Sequence, residues 1–275
     1  MLTEPGLDPT QVHHRDPEFI RAVLPYLDAL TTTYFRPEFE GIEHIPTSGP
    51  FIAAGNHNGG PVLADLWTML VFWEQTIGPD FPVYCMVHDV AFRVRPAGNV
   101  FLKLGGIKAC PQSAERVMRL RGGLLVYPGG ELDCCRTFWD RNKIDLHGRT
   151  GFIKLAFTYG APILPFVNIG GHETLITLFS SRRLAHWSGL EWLMRVKTIP
   201  VSLGLPWGLF ATPFVPFFPL PAKFVYRAAA PIRVEHDPAR ANDEASVRAV
   251  YRRLSEVMQD MLSDLARRRR FPILG

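Results

Sequence analysis

The sequence predicts an α/β protein with a mostly parallel central sheet flanked by helices. Two observations predict it. Between residues 39 and 167, short apolar runs of strand length alternate with segments of helical periodicity, the pattern of successive βα units. The chain also has 275 residues, 47% of them hydrophobic and 20% charged, which is enough apolar mass for one large core. The division expected is an N-terminal arm and amphipathic helix over 1–37, then one α/β domain over 38–275. An apolar, Pro-rich segment lies near the C-terminal part.

Residues 1–15 read as a polar arm without the basic-then-apolar profile of a signal peptide. Asp16 and Pro17 supply a cap and a first helical residue. Phe19, Ile20, Val23, Leu24, Leu27 and Leu30 then recur at helical spacing up to about Thr33. That helix covers the core or lies on a membrane. Alternation predicts a strand over 39–45, closed by the Pro46–Pro50 turn. Residues 51–55 form a fully apolar, buried strand, and 62–75 an apolar helix with Pro61 near its first turn. Further strands are expected at 81–87, 123–127 and 162–167. Helical character is expected over 90–104, broken at Pro96 and Gly98, and over 112–121 and 150–159, the last ended by Gly160. Two late strands are expected at 224–226 and 232–234, and Asp243 caps a final helix running to about Ala266.

Residues 199–222 carry no charge, a length suited to a bilayer. Six prolines, with Gly204 and Gly208, would break any helix there, so a transmembrane helix is rejected. Trp207, Phe210, Phe214, Phe217 and Phe218 leave two readings open: an apolar loop lying on the core, or a surface that meets lipid. Arg267–Arg270 read either as a solvated helix end or as a contact for anionic headgroups, where each charge contributes about 1 kcal/mol.

The net charge of +4 suits an anionic cosubstrate or lipid surface. It is too mild, and too little organised into a motif, for a nucleic-acid protein. Cys85, Cys110, Cys134 and Cys135 form no Cys-x-x-Cys set, so no metal is expected, and no disulfide framework is suggested. No Gly-x-Ser-x-Gly elbow is present, which argues against a serine hydrolase.

The chemistry is placed on Gly55-Asn56-His57-Asn58-Gly59-Gly60, continuing to Asp65. His57 falls on a Gly-rich turn after a buried strand, where open α/β sheets hold their sites. Asp65 falls early in the following helix. An imidazole serves as a general base near neutral pH, and a carboxylate fixes its tautomer. A lone His on a turn is more often simply solvated, so the rest of the chain must support the reading.

Three ordered blocks do so. They are Gly41-Ile42-Glu43-His44-Ile45-Pro46 leading into the His57 turn, then Val126-Tyr127-Pro128-Gly129-Gly130-Glu131, then Arg149-Thr150-Gly151-Phe152-Ile153-Lys154-Leu155-Ala156 followed by Gly160-Ala161-Pro162. Together they resemble the glycerolipid (lysophospholipid) acyltransferase superfamily, and the third block is most similar to the monoacylglycerol and diacylglycerol acyltransferase branch. The resemblance spans roughly residues 38–235.

It implies transfer of an acyl chain from acyl-CoA, a cosubstrate rather than a cofactor, to a hydroxyl of a glycerolipid acceptor. The setting implied is peripheral, on the cytoplasmic side of a membrane surface. His57 matches the family's base, Asp65 is the candidate partner, and Gly129, Gly130 and Glu131 match the acceptor loop. Lys108, Arg149 and Lys154 are candidates for the CoA phosphates or are ordinary surface cations. Glu131 either meets the acceptor or pairs with Arg136 or Arg149.

Three departures stand out. Seven residues separate His57 from Asp65, more than in most members, which leaves Asp89 as an alternative partner. The Arg that phosphate-acceptor enzymes carry near Gln112 is missing, unless Lys108 or Arg116 replaces it, which weakens a lysophosphatidate or glycerol-phosphate acceptor. Leu132-Asp133 at the end of the acceptor loop tilts toward a neutral or differently charged one. The wide His–Asp gap also motivates an alternative: a catalytically inactive lipid-binding protein on the same fold.

Overall fold

The computed structural model describes residues 7–93, 95–189, 191–192, 197–211, 217–271 and 273–274. Its frame is a seven-stranded sheet. The strands are β1 (Glu38–Glu40), β2 (Phe51–Gly55), β3 (Val83–Val87), β4 (Gly106–Lys108), β5 (Gly123–Val126), β6 (Ile163–Ile169) and β10 (Val225–Ala228), in the order β1-β10-β6-β2-β5-β3-β4. From β6 to β4 every pairing is parallel. β10 runs antiparallel to β6, and β1 runs parallel to β10. The predicted class, a mostly parallel sheet flanked by helices, is the class observed.

The central strand, β2, is buried at all five residues, so it reads as a continuous apolar run rather than an alternating one. Its side chains nevertheless divide by parity. Ile52 and Ala54 join Leu124, Val126, Ile163 and Val167 in one core layer, packed under α4 (Pro111–Arg119), α6 (Gly151–Tyr159) and α8 (Glu244–Arg268). Phe51 and Ala53 join Leu125, Leu164 and Phe166 in the opposite layer, with Met69, Phe72 and Trp73 of α2 (Ala64–Thr76). α1 (Pro17–Phe35) packs on α2 and starts as expected: the Asp16 carboxylate accepts the Phe19 N–H, and Pro17 opens the first turn.

Several elements differ from expectation. Only Glu38–Glu40 of the 39–45 stretch pairs as a strand. Gly41 turns the chain at φ +73°, and a Cβ there would lie 2.1 Å from the Ala228 carbonyl oxygen, so a 3₁₀ turn, Ile42–His44, follows. The helix expected from residue 62 starts at Ala64, after a 3₁₀ turn over Gly60–Val62. Pro96 and Gly98 do not break α3 (Arg95–Lys103), because Pro96 occupies its first turn. At 232–234 only an isolated bridge forms, between Ile163 and Ile232.

The largest difference lies in the uncharged segment. It holds β8 (Ile199–Gly204) and β9 (Gly208–Ala211), which join the unanticipated β7 (Ile176–Ser181) in a three-stranded antiparallel sheet. α7 (Arg182–Trp187) follows β7 directly. The two readings of the segment divide among its residues. Phe217 is buried, whereas Trp207 and Phe218 are exposed; Phe214, Pro213 and Pro216 lie outside the described residues. Among the described residues, no helix is long and apolar enough to cross a membrane.

Three of the four C-terminal arginines, Arg267, Arg268 and Arg269, lie in ion pairs. Arg267 and Arg268 pair with Asp264, Arg268 also with Glu40, and the Arg269 guanidinium lies 3.8 Å from the Glu173 carboxylate in a buried setting.

Candidate active site

Because β2 to β6 are parallel, their carboxyl ends share one edge of the sheet, and the candidate residues collect there. The turn after β2 is held on β6. Asn56 Nδ2 and Asn58 Nδ2 both donate to the Asn168 carbonyl (2.9 Å each), the Asn168 N–H donates to Asn56 Oδ1 (2.8 Å), and Asn168 Nδ2 donates to the Asn56 carbonyl (3.1 Å). At the end of β2, Gly55 leaves room for the Phe166 ring, which would lie 2.0 Å from a Cβ.

His57 Nδ1 lies 2.6 Å from Asp65 Oδ2. The seven intervening residues make this contact by coiling rather than by extending. The Gly60–Val62 turn ends on Leu63 in the left-handed region (φ 58°), which folds the chain back and sets Asp65 in the first turn of α2. A leucine is a costly residue for that conformation, so the surrounding contacts must hold it. Gly59 completes the fold: a Cβ there would meet Asp65 Oδ1 at 2.2 Å.

The Asp65 carboxylate is fully buried and fully employed. Oδ2 also accepts the Asn58 N–H (3.0 Å), and Oδ1 accepts the Leu66 N–H (2.9 Å). The Tyr226 hydroxyl donates to the Asp65 carbonyl (2.9 Å). The alternative partner, Asp89, instead lies beside its neighbour His88, with 3.2 Å between Oδ1 and Nδ1.

With Nδ1 engaged, Nε2 is the ring nitrogen left for a substrate, and 14% of the His57 side chain is exposed. The Tyr127 ring walls the imidazole at 4.8 Å between centroids. Burial pushes the His57 pKa down, but the Asp65 carboxylate outweighs it, aided by Asp133, and the net direction is up. Burial likewise pushes Asp65 up, yet the His57 imidazole and the two main-chain N–H groups bring it below its ordinary value. The pair therefore favours imidazolium and carboxylate.

The second cluster stands after β5. Gly130 takes φ +54° and opens α5 (Gly130–Cys134), which carries Glu131. The Arg149 guanidinium lies over Gly130, 2.3 Å from where a Cβ would be, and 3.5 Å from the Glu131 carboxylate; Lys197 stands 4.0 Å from the same group. Of the two pairings open to Glu131, Arg149 is the one made. Arg136 pairs with Asp133, whose side chain packs over Gly129.

Gly129, Gly130, Glu131 and Arg149 are thus brought together. Lys108 ends β4 on the same edge, three strands from β2, or about 14 Å at ordinary strand spacing. Lys154 is exposed on α6. Arg116 is committed elsewhere, donating to the Thr10 carbonyl and hydroxyl (2.6 Å each). Among the described residues, no group of three His, Cys, Asp or Glu side chains is arranged to hold a metal ion, and the four cysteines are unpaired.

Sequence reasoning missed the supporting residues. Asp133 is buried and accepts the His57 main-chain N–H at 2.8 Å. His172 is buried nearby, its pKa pushed to about 3 by burial and by Arg136, so it stays neutral. Asn168 carried no signal beyond being a polar residue inside an apolar strand, and that mismatch was the available clue.

The structure shows an α/β fold with a His–carboxylate pair on the carboxyl edge of its parallel strands, and comparison with known proteins shows what the chain is similar to. Residues 36–168, which contain His57, Asp65 and the Glu131 and Arg149 blocks, match the family model described as Acyltransferase. That match, just under half of the chain, supports a likeness to the acyltransferases of the glycerolipid superfamily. An uncharacterised protein of Mycobacterium leprae is 28% identical over 234 residues, covering 84% of this chain and 60% of that protein. Diacylglycerol O-acyltransferase 2B of Umbelopsis ramanniana is 22% identical over 180 residues, 63% of this chain and 52% of that one. The crystal structure of the 1-acyl-sn-glycerophosphate acyltransferase PlsC from Thermotoga maritima shares the fold, with a TM-score of 0.55 at 19% identity over 94% of this chain and 86% of that chain.

Proposed function

We propose that this protein transfers an acyl chain from acyl-CoA to a hydroxyl of a glycerol-based lipid, without a bound cofactor. The observation that carries the reading is the His57–Asp65 pair with Nε2 left unengaged, beside the Glu131–Arg149 cluster. His57 Nε2 takes the proton of the acceptor hydroxyl as its oxygen attacks the thioester carbonyl. The tetrahedral oxyanion collapses to the ester, and the leaving thiolate of CoA recovers the proton from the imidazolium. Asp65 holds the charged ring throughout.

Of the turn's amides, those of His57 and Asn58 already serve Asp133 and Asp65. Those of Gly59 and Gly60 are the donors left for the oxyanion. Glu131 accepts hydrogen bonds from the acceptor, while Arg149, Lys108 and Lys154 offer charge to the CoA phosphates. Engagement of Arg116 by Thr10 removes one cation from a phosphate-bearing acceptor. It favours a neutral one, in line with the likeness to a diacylglycerol acyltransferase. The wide His–Asp gap no longer favours an inactive binding protein, because the turn closes it.

Incubating the purified chain with labelled acyl-CoA and acyl carrier protein thioesters, against lysophospholipid, monoacylglycerol and diacylglycerol, tests this. The expected result is a new ester, with CoA released in equal amount and a neutral acceptor preferred. Lipid binding without any ester product would overturn the reading.

The setting we propose is the cytoplasmic face of a membrane, which suits acyl-CoA and unpaired cysteines. Its support is a surface whose apolar side faces outward. Every exposed position of α1 from 22 to 34 is uncharged, with Tyr26 77% and Leu30 61% exposed. Tyr34 donates to the Pro219 carbonyl (2.6 Å), and the neighbouring Phe218 N–H donates to the Leu205 carbonyl (2.8 Å). The stripe thereby continues to the exposed Leu205, Trp207 and Leu209 of the β8–β9 hairpin. Tyr and Trp beside aliphatic side chains suit a bilayer interface. The chain should sediment with phosphatidylcholine–phosphatidylglycerol vesicles. The pair Leu30→Asp and Trp207→Asp should weaken that binding about tenfold or more, since each removes one large apolar side chain from the interface. A wild type that stays in the supernatant contradicts the assignment.

A further inference from the structure

Asp133 is 2% exposed and lies on α5, two residues beyond Glu131. Its two oxygens serve two different parts of the site. Oδ2 accepts the main-chain N–H of His57 at 2.8 Å, across 76 residues of sequence. Oδ1 accepts Nε–H of Arg136 at 3.0 Å, and Nη2 of the same guanidinium lies 2.8 Å away as an ion pair without hydrogen-bond geometry. The Arg136 side chain is itself only 10% exposed.

Resting on the reading of His57 as the base, we propose that Asp133 is a positioning residue for the transfer, tying the turn that carries the base to the helix that carries the acceptor carboxylate. The physical case starts from what each partner would do alone. A Gly-rich turn has little side-chain packing of its own to fix it. A main-chain N–H bound to a carboxylate is held about twice as strongly as one bound to a neutral acceptor. Burying a carboxylate is costly, and Arg136 offsets that cost. The arrangement is costly to keep unless something depends on it. What depends on it is the relation between His57 and Glu131, two groups that must meet one hydroxyl. A misplacement of about 1 Å at such a centre costs about a hundredfold in rate.

The tie is also electrostatic. The charged and titratable groups around Asp133 are Arg136, His57, Asp65, His172, Cys134 and Cys135. Burial pushes Asp133 up to about 6, against the opposing pull of Arg136 and the His57 amide. Asp133 in turn helps raise His57. Near neutrality the carboxylate is ionised and both effects operate. In mild acid, below the pH at which His57 is already charged, Asp133 takes a proton and the tie weakens.

The test is the pH profile of acyl transfer for the wild type, Asp133→Asn and Arg136→Gln, with kcat and KM read separately. The side chain of Asp133→Asn keeps an oxygen able to accept the His57 N–H but lacks the charge. Its kcat should fall 10- to 100-fold while KM for acyl-CoA stays within about twofold. Its acid limb should move to lower pH, because the charge that favours the imidazolium is gone. Arg136→Gln should also move the acid limb to lower pH, because an unopposed buried carboxylate protonates more readily and then no longer favours the imidazolium. A purely structural role would lower kcat without moving either limb, and that result overturns the proposal, as does wild-type behaviour in both variants. If Asp133→Asn does not fold, the limb of Arg136→Gln decides alone. A wild type without transfer overturns the base assignment together with this proposal, whereas an active wild type with unmoved limbs overturns this proposal only.

Discussion

His57→Ala should abolish acyl transfer with the fold retained, and Asp65→Asn should lower kcat by about 10² to 10⁴-fold, the range a positioned general base supplies. The His57 variant keeps the backbone of the turn, so its circular dichroism should stay close to wild type, while its melting temperature should fall because the buried Asp65 carboxylate loses its partner. The Asp65 variant is the more informative. An amide in place of the carboxylate presents an N–H to Nδ1, and the imidazole then carries its own proton on Nε2. The nitrogen that must accept a proton would already hold one.

The same pair sets the pH dependence. His57 must be neutral to act as a base, and its pKa lies above the ordinary 6.5. Transfer should therefore rise with pH through that raised value, and Asp65→Asn should shift the residual activity's acid limb downward. The stability contribution runs the other way. That of His57 is fully present below its unfolded pKa and is lost as pH rises through the folded one. That of Asp65 is present above its unfolded value of about 3.8 and is lost as pH falls through its lowered one. Stopped-time assays over pH 5 to 9 check this, and a flat profile would contradict the assignment of His57.

Gly59→Ala should be nearly as damaging to activity, for a reason that involves no chemical group. At φ −84° the backbone of Gly59 suits any residue. The obstacle is space: a Cβ would stand 2.2 Å from Asp65 Oδ1 and 2.6 Å from the main-chain nitrogens of Ala64 and Asp65. Two of these atoms belong to the backbone at the start of α2, so the turn or the carboxylate must move. We expect a fall in kcat of about a hundredfold or more, from displacement of the partner that orients His57. The stability loss should be about 1–3 kcal/mol.

Gly60→Ala is the matched control. Gly60 has φ +60°, but the nearest atom to a Cβ is 3.5 Å away. That substitution should cost about 1 kcal/mol of backbone strain and leave most of the activity. Equal activity in the two variants, measured beside their melting temperatures, would show that close packing around Asp65 is not what matters.

The sheet was legible because parallel strands buried on both faces leave unbroken apolar runs, as in 51–55, 123–126 and 163–167. The ends of elements were less so. Alternation over 39–45 suggested a strand, yet Gly41 bends the chain away from β10 after three residues. In 199–211 the prolines and the lack of charge hid an antiparallel hairpin, whose pairing comes from β7, a partner some 20 residues earlier in the chain.

His57 and Asp65 could be named from sequence, but the closing of their gap depends on a left-handed leucine that no propensity would place there. Asp133 was out of reach for a different cause. An acid in a short polar stretch looks solvated until Arg136 and the His57 amide are seen to converge on it. Long-range meetings of polar groups leave no periodic trace in a sequence.

The asparagine bonds between 56, 58 and 168 have a practical corollary. They fasten the His57 turn to a strand more than a hundred residues away, so the turn is not a portable cassette. Grafting 55–65 onto another α/β scaffold would strand Asn56 and Asn58 without the backbone they grip. An engineer would have to transplant the β6 segment around Asn168 along with it.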